Sequence, residues 1–153
     1  MNEGSDKLPN DLIGVTGVHF VAFKLSLRGL IVLPTIRNTA GIDLLVNDPR
    51  TEAQASLQVK TSMAWVKFWP TPTAQKCLRG RHAFYVFLRY DRSVESFDAF
   101  LESGSQVAEQ VEANAQDYRE RGRKEFSYWK LPQSEEEIEA LRQAWRVWRP
   151  PAA

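Results

Sequence analysis

The pattern of apolar and polar positions from residue 41 to residue 62 predicts a β-hairpin. Two short apolar runs, residues 42–46 and one that begins at Leu57, flank a polar segment at residues 47–52. This segment has turn chemistry, because Asn and Asp side chains bond to nearby backbone groups and Pro49 fixes its own φ. Two apolar runs joined by such a turn are typical of two paired antiparallel strands.

Three polar residues interrupt this apolar hairpin. Side chains alternate between the two faces of a strand, so Gln58 and Lys60 are expected on one face, opposite to Leu57 and Val59. Asp43 belongs to the neighbouring strand. The hairpin can therefore bring a carboxylate, an amide oxygen and an ammonium group to one side of a sheet. Since an unpaired charge in a buried strand is costly, this placement favours a function for the charged residues.

Before the hairpin, apolar positions at helical spacing predict a helix over residues 17–28. Residues 11–16 lead into it, and Thr16 is the expected N-cap. Gly29 suits the position after the helix end. The apolar, β-branched residues 30–33 then predict a strand that ends near Pro34.

After the hairpin, residues 63–73 hold aromatic side chains and two prolines, which predicts an irregular loop. Residues 82–90 form a nearly continuous apolar run, as expected for a strand covered on both faces. Residues 97–101 are expected to form an edge strand. Ser105 is expected to open a helix that runs to about residue 121, and Ser134 to cap a final helix. This order of elements predicts an α/β fold with a mixed central sheet flanked by helices.

The bulk properties predict one domain over residues 11–149, after a disordered leader at residues 1–10. The 153 residues carry a formal net charge of only +1, so no overall basic surface points to nucleic acid. The single cysteine, Cys77, excludes an internal disulfide and fits a reducing compartment. Neither a secretory signal nor an apolar run of membrane length is visible. We therefore expect a cytoplasmic protein with no membrane partner and no small-molecule cofactor.

The residues of the hairpin carry a resemblance to a known group of enzymes. Gly41-x-Asp43, a turn, and then Gln58-x-Lys60-Thr61 resembles the PD-(D/E)xK nuclease superfamily in its Gln-x-Lys form. The nearest named relatives are Mrr-type restriction endonucleases and Holliday-junction-resolvase-like proteins, and the similarity covers about residues 14–112. It implies a restriction-endonuclease-like α-β-β-β-α-β core.

The resemblance also implies the chemistry of the site. Asp43 would be the anchoring ligand of Mg²⁺ or Mn²⁺, Gln58 would offer its amide oxygen, and the Val59 carbonyl would be a further ligand. Mg²⁺ keeps several waters and needs only one or two carboxylates from the protein. Lys60 would orient the attacking water and counter the charge that develops on the phosphate.

One position departs from the pattern of these nucleases. Many relatives carry a Glu on the first helix, and the matching triplet here is Gly17-Val18-His19. Val18 cannot bind a metal. Three alternatives follow: the hairpin ligands suffice alone, His19 or Asp11 replaces the Glu, or the domain has lost catalysis.

A nuclease also needs a positively charged surface, because Lys and Arg neutralise phosphates whatever the base sequence. The basic residues that are candidates for nucleic-acid binding are Arg37, Lys67, Lys76, Arg79 and Arg81.

Four tryptophans have two interpretations each. Trp65 and Trp69 can stack on unpaired bases, although packing inside the protein is favoured. Trp145 and Trp148 lie three residues apart on the apolar stripe of the last helix. They are expected in the core or in a dimer contact.

Three hypotheses of function remain. The first is a metal-dependent endonuclease acting on DNA in restriction, repair or mobile-element processing, with a homodimer as a possible form. The second is a nuclease-fold domain without catalysis that binds nucleic acid or a protein partner. The third is an unrelated α/β interaction domain in which the motif occurs by chance.

Overall fold

The computed structural model of the chain describes residues 7–36 and 41–152. Its helices are α1 (Asn10–Leu27), α2 (Gly104–Glu120) and α3 (Glu135–Val147), and a one-turn 3-10 helix spans Ala74–Lys76. The strands in the described part of the chain are β1 (Ile31–Pro34), β2 (Leu44–Asn47), β3 (Gln54–Ser62), β4 (Phe68–Pro70), β5 (Ala83–Asp91), β6 (Ser96–Ser103) and β7 (Tyr128–Lys130).

Five strands form one mixed sheet in the order β1-β2-β3-β5-β6. The β3–β5 pair is parallel and the other three pairs are antiparallel. Strands β4 and β7 pair with each other in a separate antiparallel ribbon. The prediction of an α/β fold with a mixed sheet flanked by helices is therefore confirmed, and so is the hairpin, which is β2 and β3. The connection from β3 to the parallel strand β5 contains β4 and the 3-10 helix.

Each face of the sheet carries its own layer of apolar side chains. Leu57 and Val59 lie on the face covered by α1, where they pack in one cluster with Val21 and Leu25. The opposite face carries a second cluster, which α2 and the β4–β7 ribbon cover. The predicted division of β3 into two faces is thus observed for its apolar residues, and the strand is fully buried at residues 57–59.

Helix α1 begins earlier than the sequence pattern predicted. It starts at Asn10, directly after Pro9, and the predicted N-cap residue Thr16 lies inside it with its hydroxyl donating to the Leu12 carbonyl at 2.8 Å. The predicted start is wrong because Gly17 lies inside α1 and not at its beginning. Gly17 is instead the point of closest approach to β3, where a Cβ would overlap Thr61 Oγ1.

The predicted loop at residues 63–73 contains a regular element that the prolines concealed. Strand β4 occupies part of it and ends at Pro70. Trp69 is buried, donates its indole N–H to the Leu88 carbonyl at 2.9 Å, and packs on Phe87 and Trp129. Packing of Trp69 in the interior is therefore confirmed, and stacking on bases is wrong for this residue.

Two further boundaries and positions follow from local contacts. Helix α2 begins at Gly104 and is capped by Ser103, whose Oγ accepts the Gln106 N–H, so the predicted start at Ser105 was late by one residue. Trp145 and Trp148 are buried in the cluster under α1, which confirms the core alternative. The single domain and the disordered leader stay predictions, since residues 1–6 lie outside the described residues.

None of the helices in residues 7–36 and 41–152 has the length and apolar character that crossing a membrane requires.

A buried cluster of charges joins α3 to the sheet. Arg89 on β5 is only 5% exposed, and its Nε donates to Asp98 Oδ2 at 3.0 Å. Arg142 of α3 donates to both carboxylate oxygens of Asp98, at 2.7 and 3.0 Å. Arg89 also donates to the Val66 carbonyl at 3.0 Å, so the cluster fixes the segment before β4 as well.

We predict that Asp98→Ala lowers the free energy of unfolding by about 3–5 kcal/mol, because it leaves the buried Arg89 without its partner. Urea denaturation followed by circular dichroism measures the change. The matched control is Asp117→Ala, which breaks an exposed pair with Arg121 and should cost less than about 1 kcal/mol. Equal losses in the two variants would contradict the role assigned to Asp98.

Candidate active site

Asp43 lies at the point where the two strands of the hairpin separate. The β2–β3 ladder ends with the pair Leu44 and Leu57, and Asp43 precedes that pair. Its backbone N–H still donates to the Leu57 carbonyl at 2.8 Å, and its carboxylate Oδ2 accepts the Val59 N–H at 2.7 Å. The carboxylate therefore replaces a backbone carbonyl in the ladder, and β3 continues beyond it with one side open.

Gln58 and Lys60 face the other layer of the protein. They pair in register with Tyr85 and Phe87 of β5, which belong to the cluster under α2, and paired residues share a face. Gln58 is 8% exposed, and its amide lies beside Gly41: a Cβ on that glycine would lie 3.5 Å from Nε2. Gly41 has φ of +75°, and this left-handed backbone conformation favours glycine in the turn before Asp43.

The charges of Asp43 and Lys60 act on each other. Burial raises the pKa of the Asp43 carboxyl, and the Val59 hydrogen bond and the Lys60 charge oppose this rise. Burial lowers the pKa of the Lys60 ammonium, and the Asp43 charge opposes that shift. Both groups are thus partly removed from water and close enough to interact. The structure brings the acid, the amide and the amine to one stretch of β3.

Two residues beside Lys60 were not singled out from the sequence as part of a site. Cys77 is buried close enough to Lys60 for their charges to interact, and burial raises the pKa of its thiol. The Tyr85 hydroxyl accepts the Leu78 N–H at 2.9 Å, and burial raises the pKa of Tyr85 well above its ordinary value. No local pattern indicates this neighbourhood, because the β3–β5 pairing and the segment after the 3-10 helix bring together residues far apart in the chain.

A cavity of about 550 Å³ lies between α1 and the open side of the hairpin. Asp43 and Val59 line it from the sheet, and Asp11, Val18 and His19 line it from the helix. Val18 therefore faces the same cavity as Asp43, which is where the resemblance implies a Glu. Asp11 and His19, the two candidate replacements for that Glu, line this cavity too.

The oxygen atoms at the junction form a donor set suited to a hard cation that keeps its waters. Asp43 has a second carboxylate oxygen, and the Val59 carbonyl points to the same side of β3 as its N–H. Together with the Gln58 amide oxygen, the site has one charged oxygen ligand, from Asp43, and two neutral ones. This set fits weakly bound Mg²⁺ or Mn²⁺. Among residues 7–36 and 41–152, no group of three or more His, Cys, Asp and Glu side chains is arranged to hold a metal.

The predicted basic residues fall in two places. Lys76, Arg79 and Arg81 lie in the segment that contains Cys77, and the Arg79 charge also acts on that thiol. Arg79 donates to the Ala74 carbonyl at 2.9 Å and Arg81 to the Ala152 carbonyl at 2.8 Å, while Lys76 is exposed.

Two other predicted residues do not join that group in the structure. Lys67 precedes β4 and lines a different cavity, beside the β4–β7 ribbon. Arg37 lies outside the described residues.

The fold is similar to that of a bacterial homing endonuclease. The structure of I-Ssp6803I aligns with a TM-score of 0.53 over 92% of this chain and 91% of that chain, at 11% sequence identity. No protein-family model matches the chain, and no curated protein sequence matches it. The similarity shows that the two chains share a fold.

We predict an unusual pH dependence from Asp43. Because its pKa is raised in the folded state, its contribution to the free energy of unfolding is full below the ordinary Asp pKa of about 3.9 and is lost as the pH rises through the raised value. The wild type should therefore lose stability relative to Asp43→Asn as the pH rises from about 4 towards neutrality. Urea denaturation in EDTA at several pH values measures the difference.

The control for this prediction is Asp91→Asn, for which the sign is opposite. Hydrogen bonds from Ser93 hold the pKa of Asp91 below its ordinary value. Its contribution is therefore present above the ordinary pKa and is lost as the pH falls through the lowered value. Slopes of the same sign for the two variants would contradict the burial assigned to Asp43.

Proposed function

We propose that the chain is a metal-dependent nuclease of the PD-(D/E)xK type that hydrolyses phosphodiester bonds of DNA with Mg²⁺ or Mn²⁺. One observation carries the proposal: Asp43 and Lys60 interact at the open end of the hairpin, and Gln58 lies on the strand beside them. The fold shared with a homing endonuclease supports it. Structural packing alone does not account for two partly buried charges that interact with each other, one of which, Asp43, lines a cavity.

Asp43, Gln58 and Val59 would hold the cation. The Val59 N–H occupies one carboxylate oxygen of Asp43, which fixes the group and leaves the other oxygen for the ion. When bound, the ion supplies positive charge at the phosphate and lowers the pKa of a coordinated water. A neutral amide in place of a second carboxylate weakens the affinity, so we expect millimolar rather than micromolar dissociation constants, roughly, for Mg²⁺.

Lys60 would orient the attacking water and balance the charge that grows on the phosphate. Burial lowers its pKa, so it gives up a proton more readily than an exposed lysine. Among the described residues no carboxylate lies within 4.0 Å of its ammonium group. Its hydrogen-bond donors are thus not committed to an ion pair with a protein carboxylate.

The segment with Lys76, Arg79 and Arg81 would contact the phosphates on either side of the reacting one. Arg79 donates one N–H to the Ala74 carbonyl, and Arg81 donates one to the Ala152 carbonyl. Each bond fixes the position of its guanidinium group and leaves the other N–H groups for phosphate. A net charge of +1 is compatible with this, because the basic groups are local.

A second candidate is a nuclease-fold domain without catalysis that binds nucleic acid or a protein partner. The position of Val18 favours it, because an apolar side chain faces the cavity where the resemblance implies a metal-binding Glu. The homodimer stays a prediction that sedimentation velocity measures directly.

We predict that the wild type cuts 5′-labelled DNA substrates (duplex, flap, four-way junction and single strand) in Mg²⁺ or Mn²⁺. Asp43→Asn and Lys60→Ala should each lower the rate by about 100-fold or more, because each removes charge stabilisation in the transition state. The controls Asp117→Asn and Lys124→Ala change charges elsewhere on the surface and should cut like the wild type.

The outcomes separate the candidates. Equal cutting by all variants would assign the activity to a contaminant and contradict the proposal. If the wild type binds the labelled DNA but cuts it in neither metal, the second candidate replaces the first. In that case Val18→Glu, which restores the carboxylate on α1, is the variant expected to cut.

A further inference from the structure

The outer face of the β4–β7 ribbon carries an exposed cluster of aromatic rings. In this ribbon Trp69 pairs with Trp129, and both are buried against the sheet. Because side chains alternate, their neighbours on each strand face outward. These are Phe68 and Tyr128. Phe126, two residues before Tyr128, lies on the same outward face. We call Phe68, Phe126 and Tyr128 the aromatic ledge.

The three rings contact one another and remain open to solvent. Phe126 and Tyr128 stack with centroids 5.4 Å apart and an interplanar angle of 21°. Phe68 meets both rings edge-on, at 6.3 and 5.9 Å. Phe68 is 49% exposed and Phe126 is 39% exposed. A contiguous exposed aromatic surface of this kind is typical of a binding site.

Two side chains of α2 hold the ledge rigid. Gln110 accepts the Lys130 N–H at 2.7 Å and donates to the Lys130 carbonyl at 3.2 Å, as a neighbouring strand would. One turn later, Asn114 donates to the Tyr128 carbonyl at 2.9 Å. The free edge of β7 is therefore satisfied by side chains, and the ledge does not have to be ordered when a ligand binds.

The surroundings of the ledge combine positive charge with a cavity of nucleotide size. The cavity has a volume of about 810 Å³ and is lined by the ledge, Trp65, Lys67 and Lys130. Both lysines are exposed. Gln133 and Glu135 also line the cavity and can bond to the edge of a base. Aromatic faces for stacking, flanked by ammonium groups for phosphate, are the recognition chemistry of single-stranded nucleic acid.

The ribbon that carries the ledge is packed on the face of the sheet that carries Lys60. Trp129, on the inner face of the ribbon, stacks on Phe87 with ring centroids 3.9 Å apart. Phe87 is the register partner of Lys60. The inner face of the ribbon therefore packs on the same strand face as Lys60.

The geometry points to a binding site for unpaired bases: the ledge stacks one or two bases of a single-stranded segment while Lys67 and Lys130 contact its phosphates. This inference deepens the proposed function and rests on it for the identity of DNA as the ligand. It names the substrate class as DNA with a single-stranded part, such as a flap, bubble or branch, rather than uninterrupted duplex.

The test is fluorescence anisotropy of a labelled oligothymidylate and of a blunt duplex, in EDTA so that nothing is cut. Phe68→Ala and Phe126→Ala should each weaken single-strand binding by about tenfold, the loss expected for one stacked base, and leave duplex binding unchanged. The matched control is Phe23→Ala on α1, whose ring is 59% exposed but lies outside the ledge. It should change neither affinity.

Lys130→Ala provides a second variant that keeps the rings intact. It should weaken single-strand binding and reduce the slope of log K against log salt by about 0.7, the value for one lost phosphate contact. Thermal melts check that the variants fold. Unchanged single-strand binding in both ring variants, an equal loss in Phe23→Ala, or binding of a proline-rich peptide in place of the oligonucleotide would overturn the inference.

Failure here is distinguishable from failure of the proposed nuclease. Asp43→Asn should lose cutting but keep single-strand binding, because its side chain is not part of the ledge. The ring variants should keep whatever cutting of duplex the wild type shows.

Discussion

The hydrogen bond from the Val59 N–H to the Asp43 carboxylate is the interaction on which the site depends. It forms where β2 leaves β3, and it allows β3 to continue with one side open without losing the pairing of that N–H. The same bond holds an acidic oxygen within reach of Gln58 and Lys60, which lie on either side of Val59. The Val59 backbone N–H thus holds the Asp43 carboxylate in place, and no second side chain is needed for this.

The burial that makes this junction chemically useful also costs stability. Burial raises the pKa of Asp43 and lowers the pKa of Lys60, so it favours the neutral form of both side chains. The charged form of each group would have a lower free energy in water. The two apolar layers on either side of the sheet offset that cost, and Val18 and His19 of α1 form one wall of the adjacent cavity. A bound cation would stabilise the ionised form of the Asp43 carboxylate. Metal binding and stability are therefore linked at this site.

Local pattern was enough to predict the hairpin, the two faces of β3 for its apolar residues, and the mixed α/β architecture, because period-two alternation and turn chemistry act over a few residues. Two glycines illustrate the limit. Gly41 lies in the turn that its residue type suits. Gly17 lies inside α1 and not at its start, because glycine is needed there for the close contact with Thr61 on β3. Tyr85 was missed because the β3–β5 pairing places it opposite Gln58, and Cys77 because the segment after the 3-10 helix brings it close to Lys60 and Tyr85. The aromatic ledge was missed because the pairing of β4 with β7 decides which rings face outward.

The most direct test of the central claim is the position of the ion itself. A crystal of the wild type soaked in Mn²⁺ and measured at the manganese edge should show an anomalous peak at the hairpin junction, with Asp43, Gln58 and the Val59 carbonyl as its protein ligands. The peak should be absent from crystals of Asp43→Asn treated in the same way. A wild-type crystal without a peak at the junction, or with the ion held elsewhere without Asp43, would contradict the account.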